Sequence, residues 1–296
     1  MAGSFTLVAR GDAGTSGGAA KRRVLVTGAA GRIGSFFAAH AHERYQLRLM
    51  VRPGEDAAPI AAYGEVVTAD LADLPRLKEI CAGIDTVLHL AGNPNPSATW
   101  EPLLATNIIG TYHIFVAAKA AGCRRVIHAS SIHAVSGYAR DRQVKTDDPV
   151  NPGDLYGVSK AFGEALARYM AEQEGLSAIA IRIGGFQSIE AARNPERLAV
   201  LDAFVSRRDL TQLITRCIDD EQLQFAIFHG LSDNAFKRLD ISDARALLGY
   251  APEDDFTAEN PLLKDLGLRD TVGRHNLTGG RQSSGLRDEL AEEGSR

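Results

Sequence analysis

"VLVTGAAGRIGSFF", residues 24–37, places Gly28, Gly31 and Gly34 between a β-branched run and an apolar helical pattern. Glycines at this spacing permit a tight turn, close approach of backbone to a ligand and tight packing of helix on strand. The helix that follows offers unpaired N–H groups and the positive end of its dipole to an anion. A strand, a G-x-x-G-x-x-G turn and a helix at the first β-α junction together read as the pyrophosphate site of a dinucleotide, with Arg32 and Ile33 in the same turn. A glycine turn alone can be purely structural; its position after a strand and before a helix decides for the ligand.

Outward from this turn, apolar runs at 23–27, 47–51, 65–68, 85–90, 124–130, 177–183 and 223–228 alternate with helical stretches near 32–44, 73–82, 98–121, 154–174, 207–219 and 242–248. Strands that are apolar at nearly every position, separated by helices, predict a parallel sheet covered on both faces. The expected fold class is therefore α/β, a doubly wound (Rossmann) parallel sheet with a small C-terminal substrate-covering lobe. One domain is expected over 21–270, with the lobe mainly at 184–270. Residues 1–20 read as a flexible leader and 271–296 as a mobile polar tail.

Of the 296 residues, 45% are hydrophobic and 24% charged, which is ample for one large core. A net charge of -4 argues against nucleic acid or an anionic membrane as partner. No apolar run approaches the roughly 18–20 residues of a membrane span. Cys81, Cys123 and Cys217 form no C-x-x-C, which points to free thiols in a reducing, cytoplasmic setting. No His, Cys and carboxylate cluster has metal-ligand spacing, so no metal is expected.

The end of the second strand bears on which nucleotide is bound. An acidic residue there would bond the ribose 2′-hydroxyl and select NAD. "RLMVRPGED" (48–56) has Arg52 instead, which is either a solvated loop charge or a partner for a 2′-phosphate, with Arg32 as a second guanidinium. NADP is favoured over NAD on this ground. Asp70 and Leu71, after the third strand, are placed to meet the adenine.

"LYGVSKAFGE" (155–164) sets Tyr156 and Lys160 four apart, hence on one helix face. A phenol with an ordinary pKa near 10 is a poor base at neutral pH. A nearby ammonium, with the positive charge of an oxidised nicotinamide, would favour phenolate. "HASSIHAVSGY" (128–138) offers Ser131 as the opposing hydroxyl at the end of the fifth strand. His133 reads as a substrate contact or as a packed strand-end histidine, whereas His89 and His128 read as satisfied core residues. Arg207 and Arg208 are a solvated helix start or an anion contact.

T-G-x-x-G-x-x-G, "HLAG" (89–92), "NIIG" (107–110), "ASS" (129–131) and "YGVSK" (156–160) occur in the order seen in extended short-chain dehydrogenases/reductases. The resemblance covers about residues 22–260. It implies Ser131 as hydroxyl anchor, Tyr156 as acid/base, and Lys160 as ribose contact and pKa-lowering group. It also implies Leu90, Ala91 and Gly92 along the cofactor, Asn107 as a brace, and Ile183 near the carboxamide. Within that superfamily "LYGVSKAFGE", "IRIGG" (181–185) and "NIIGTYHIF" (107–115) are similar to bacterial uronate dehydrogenases, which oxidise hexuronic acids with NAD. The implied activity is hydride transfer between nicotinamide and a sugar or sugar-acid hydroxyl. Ile132 and Gly185 replace an Asn and a Ser of that group, which weakens the case for uronate itself. The carboxylate-clamping arginine would be Arg197, or Arg193. The other enzymatic reading is a nucleotide-sugar epimerase or dehydratase using the same triad, for which the C-terminal part is short; a non-catalytic dinucleotide sensor is the third. Superfamily members often pair through the helices at 98–121 and 154–174, so a homodimer is expected.

Overall fold

A computed structural model describes residues 20–267. The leader expected over 1–20, apart from Ala20, and the tail expected over 271–296 lie outside the described residues. Seven strands form one sheet: β1 (Arg23–Thr27), β2 (Gln46–Val51), β3 (Glu65–Thr68), β4 (Thr86–His89), β5 (Arg125–Ser131), β6 (Ser177–Ile183) and β9 (Phe225–Gly230). Their spatial order is β3-β2-β1-β4-β5-β6-β9, and every pairing is parallel. The chain thus reverses its winding between β1 and β4, which is where open α/β sheets bind ligands. A second sheet pairs β7 (Gly185–Gln187) with β8 (Phe204–Ser206) just beyond β6. These short strands carry no run that sequence periodicity could have marked.

Alternate residues of each strand enter two separate apolar layers. On one face Val24, Val26, Leu49, Ile127 and Ile181 pack with Phe37 of α1 (Arg32–Ala41) and Leu210 and Leu213 of α7 (Arg207–Asp219). On the other, Leu25, Met50, Val87 and Val126 pack with α2 (Leu74–Cys81), α4 (Thr111–Ala120) and α5 (Leu155–Glu172). Each fully buried side chain of this kind stabilises the fold by roughly 1.5–3 kcal/mol. The three cysteines are free and buried, Cys81 and Cys123 in this second layer.

The stretch expected as one helix over 98–121 is instead three pieces: α3 (Trp100–Leu103), a π-helical segment Leu104–Gly110, and α4. Its helical span Trp100–Ala120 is long and apolar enough to cross a membrane by length and composition, contrary to the reading of the sequence. Here Ile114, Phe115, Ala117 and Ala118 of this span lie in the core. At the opposite end of the sheet from the strand C-termini, buried Arg125 donates to the carbonyls of Cys217, Asp220 and Leu223 at 2.6–2.7 Å. That ties the end of α7 to the base of the sheet.

Beyond β8, α8 (Ser242–Leu248) and α9 (Phe256–Glu259) complete the lobe with α6 (Ile189–Ala192). Phe204, Phe256 and Ala192 form a small core of their own.

Candidate active site

Thr27 ends β1 at the winding reversal, and its Oγ accepts hydrogen bonds from Leu90 N–H and Ala91 N–H, each at 3.1 Å. It therefore donates its own proton to His89 Nδ1 at 2.9 Å, which leaves Nε2–H of a neutral ring to donate to Thr111 at 3.3 Å. Burial agrees, lowering the His89 pKa to about 3. Gly28 follows with φ 64°, a conformation that strains any side chain. A Cβ on Gly34 would lie 2.4 Å from the Gly28 carbonyl oxygen, so only glycine lets α1 begin this close to the turn. The N-terminus of α1 has no side-chain cap and no acidic residue in its first turn. Its N–H groups are available to an anion, so the turn fits a pyrophosphate.

Asn107 lies in the π-helical segment, where such bulges commonly serve a site. Its Oδ1 accepts from Asn93 N–H at 2.8 Å and Thr106 Oγ–H at 2.9 Å. Its Nδ2 donates to the Asn93 carbonyl at 3.1 Å and Ser159 Oγ at 3.0 Å. Ser159 in turn donates to the Tyr156 carbonyl at 2.7 Å. One buried amide thus holds both the loop after β4 and the first turn of α5.

That turn starts at Asp154, whose carboxylate caps Gly157 N–H at 2.7 Å. Tyr156 and Lys160 then share the inner face and are both buried. Ser131, at the end of β5, accepts from His133 N–H at 3.2 Å and lies near enough to the Tyr156 phenol to oppose its rise. Lys160 Nζ donates to the Ala129 carbonyl at 2.8 Å. Burial lowers the Lys160 ammonium to about 8. Burial also raises the Tyr156 phenol above its usual 10, against the opposing effect of Ser131, and the Asp154 charge adds to the rise. The lowering expected from Lys160 is therefore not found in the protein alone. Nζ stands 5.5 Å from the ring centroid and is turned to a carbonyl.

His133 is neither a free contact nor an inert packed ring: Nδ1 meets Asp154 Oδ2 at 2.6 Å, and the ring stands edge-on to Tyr156 at 5.4 Å. Gly92 lies beside Asn107 and Lys160, and Ile183 ends β6 in register with Ser131. Asp70 is exposed and bonds Ala72 N–H at 2.8 Å, while Leu71 packs against Gly110. Arg32, expected at a 2′-phosphate, donates to the Phe186 carbonyl at 2.9 Å, because β7 lies within its reach. The exposed Arg52 guanidinium bonds nothing among the described residues. Arg193 pairs with Glu259 at 2.9 Å, whereas Arg197, exposed on the 3-10 turn Pro195–Val200, has no ion partner there. Arg208 is held by Asp254 and Glu253, and Arg207 lies over Phe36. His128 corrects another expectation: neither nitrogen of this buried ring has a partner.

Sequence reasoning missed Thr27, Asn93, Asp154, Ser159, Glu164 and Arg182. Only Asp154 carried a local signal, a capping carboxylate directly before a helix. A cavity of about 490 Å³ is lined by Arg140, Arg142, Lys237, Arg238 and Arg245 among others, and includes none of the residues singled out above.

A seven-stranded parallel Rossmann sheet, with a glycine turn at its winding reversal and Ser, Tyr and Lys gathered beside it, defines a protein of the short-chain dehydrogenase/reductase type. The chain belongs to the NAD-dependent epimerase/dehydratase family, whose model matches residues 24–224. It is 35% identical over 260 residues to an NAD-dependent glucose-6-phosphate dehydrogenase of Haloferax volcanii, covering 82% of this chain and 98% of that one. It is 34% identical over 236 residues to a uronate dehydrogenase of Pseudomonas putida, covering 78% and 84%. A crystal structure of uronate dehydrogenase from Agrobacterium tumefaciens, a mutant complexed with NAD, superposes with a TM-score of 0.72 at 30% identity, covering 90% and 93%.

Proposed function

We propose that the chain is an NAD(P)-dependent dehydrogenase acting on a hydroxyl of a small sugar, sugar acid or sugar phosphate. The observation that carries this reading is that buried Tyr156 and Lys160 share the inner face of α5, with Lys160 bonded to Ala129 of β5 two residues before Ser131 ends that strand. When bound, an oxidised nicotinamide supplies the hydride acceptor. Ser131 holds the substrate oxygen, and Tyr156 takes its proton. Lys160, charged below about pH 8, favours the phenolate that forms. The strand-end groups Leu90, Ala91, Gly92 and Ile183 line the cofactor, and Asp70 and Leu71 meet its adenine. Relatives more than 30% identical that this chain spans over most of their length are named as glucose-6-phosphate, uronate and L-arabinose dehydrogenases, which favours net oxidation over epimerisation of a nucleotide sugar.

NADP is the preferred cofactor in this reading, since the unpaired Arg52 follows β2 where a 2′-phosphate would lie. With Arg32 engaged by Phe186, that preference rests on Arg52 alone. Arg197, without an ion pair among the described residues, is the cation for an acidic substrate in this reading, Arg193 being paired. A second copy of the chain pairs through Trp100, Ile109 and Tyr112 on one helical stretch and Leu155, Val158 and Tyr169 on α5, all exposed large hydrophobics. Steady-state reduction of NAD and NADP, followed by nicotinamide absorbance across free uronates, aldoses and sugar phosphates, tests the reading. A substrate-dependent rise is expected. Cofactor retained through purification with no net reduction on any of them would instead favour the epimerase.

A further inference from the structure

Behind the candidate triad lies an ion pair sealed from water. Glu164 and Arg182 are only 3% and 1% exposed. Arg182 Nε donates to Glu164 Oε1 and Nη2 to Oε2, both at 2.9 Å. Ser130 Oγ donates to the same Oε1 at 2.6 Å. On the far side, His229 gives its Nδ1–H to the Asp240 carbonyl at 2.7 Å, so its Nε2 is the acceptor that faces Arg182 Nη1 at 3.5 Å. Every heavy-atom donor and acceptor of the pair is therefore engaged.

The position of this network is informative. Glu164 follows Tyr156 by two turns of α5 and Lys160 by one, on the same face. Ser130 immediately precedes Ser131, and Arg182 immediately precedes Ile183. One carboxylate thereby ties α5 to β5 and β6, the three elements that carry Tyr156, Lys160, Ser131 and Ile183. A buried ion pair is weak evidence for stability, because desolvating two charges offsets most of their attraction, and apolar replacements of similar volume are often neutral or stabilising. The directional fork of an arginine on a carboxylate does fix geometry, and apolar packing allows a helix to slide.

We propose that Glu164 is a positioning residue: with Arg182 and Ser130 it sets the register of α5 on the sheet, and so the placement of Tyr156 and Lys160 against Ser131 and Ala129. This rests on the dehydrogenase reading above for its kinetic consequence, but its geometric consequence does not. The test compares wild type with the double variant Glu164→Leu/Arg182→Met and with the conservative variant Glu164→Asp. Thermal unfolding, kcat and KM on one fixed substrate, and the ultraviolet pH titration of the Tyr156 phenol are measured on each.

The double variant is expected to fold with a Tm at or above that of wild type and to lose roughly ten- to a hundredfold in kcat, the scale on which small misplacements cost rate. Its KM for the cofactor should change by a smaller factor than kcat, since the glycine turn is untouched and only the Lys160 side of the cofactor site is displaced. Its phenol midpoint should move, because the placement of the ring against Ser131, which opposes its rise, is altered. Glu164→Asp, which keeps the charge but not the reach, should show the same phenol shift in a smaller degree. A double variant that folds with wild-type kcat and an unmoved phenol overturns the proposal. One that cannot fold overturns it as well, since the pair would then serve stability, and so does a Glu164→Asp variant indistinguishable from wild type. The phenol titration needs no substrate, so an enzyme inactive on every sugar leaves this test intact.

Discussion

Lys160 Nζ stands 5.5 Å from the centre of the Tyr156 ring and points its hydrogen bond at the Ala129 carbonyl, 2.8 Å away. Both side chains are buried, and burial penalises charge on either one: the ammonium falls to about 8 while the phenol rises. The protein alone therefore favours a neutral phenol, and in the proposed mechanism the charge of an oxidised nicotinamide adds to that of Lys160 in lowering it. Titrating the phenol by ultraviolet absorbance should place its midpoint above 10 in the free protein. Saturating oxidised cofactor should lower it, and an unchanged midpoint would contradict this account.

In the proposed mechanism, replacing Tyr156 by Phe removes the proton acceptor and little else. The expected loss in kcat is roughly 10²–10⁴-fold, the usual contribution of a positioned acid/base. Cofactor affinity, measured by quenching or enhancement of nicotinamide fluorescence, should stay near wild type.

Lys160 also gives stability a pH dependence whose sign can be worked out. Its native pKa, about 8, lies below the ordinary 10.5 of an unfolded lysine. Below pH 8 both states carry the proton, and the full cost of a buried ammonium is present. Between about 8 and 10.5 the unfolded chain holds a proton that the native state lacks, so this group makes stability rise with pH. The whole shift corresponds to roughly 3 kcal/mol. A Lys160→Met variant should accordingly be more stable than wild type at pH 7, and the difference should shrink by pH 10. Denaturant unfolding at the two pH values measures it.

Asn107→Ala should disturb two elements at once. It strands the Asn93 N–H and carbonyl, at about 1–3 kcal/mol for each group left without a partner, and removes the donor to Ser159 Oγ, which keeps its own bond to the Tyr156 carbonyl. Cofactor binding should weaken along with stability, because the Asn93 loop continues directly from Gly92. Asn107→Asp restores the Oδ1 contacts but not the Nδ2 ones, and should fall between. Calorimetric cofactor titration and thermal unfolding report the two effects separately.

Gly163 meets the orphaned His128 ring. A Cβ at this position would lie 2.2 Å from His128 Nε2, so Gly163→Ala should destabilise by about 1–3 kcal/mol through overpacking. His128→Ala alone leaves a cavity and is also destabilising. The double variant should be better than the sum of the two by at least about 0.5 kcal/mol, since the added methyl occupies space that the ring has vacated. Strict additivity in denaturant unfolding would show that the two residues do not touch.

Changing cofactor preference tests Arg52. Arg52→Ala should cut the ratio of kcat/KM for NADP over NAD by tenfold or more, in keeping with loss of a charge-assisted phosphate contact. Arg32→Ala should leave that ratio alone, its guanidinium being engaged with Phe186.

Local patterns in the chain determined much of this: the seven sheet strands and main helices within a few residues, the glycine turn, and the sharing of one helix face by Tyr156 and Lys160. These depend on spacing along the backbone, on β-branched runs, on a turn that only glycine allows and on a period of four on a helix, so they can be read without a fold. Tertiary structure alone decided which charges are spent and which are free. Arg32 and Arg193 are engaged, Glu164 meets Arg182 across 18 positions of sequence, and among the described residues Arg52, Arg197 and the His128 ring have no side-chain partner. It also decided that burial raises the phenol while Lys160 turns to the Ala129 carbonyl. Hydrogen-bond partners and desolvation depend on what surrounds a group in space, and no periodicity in one dimension encodes that.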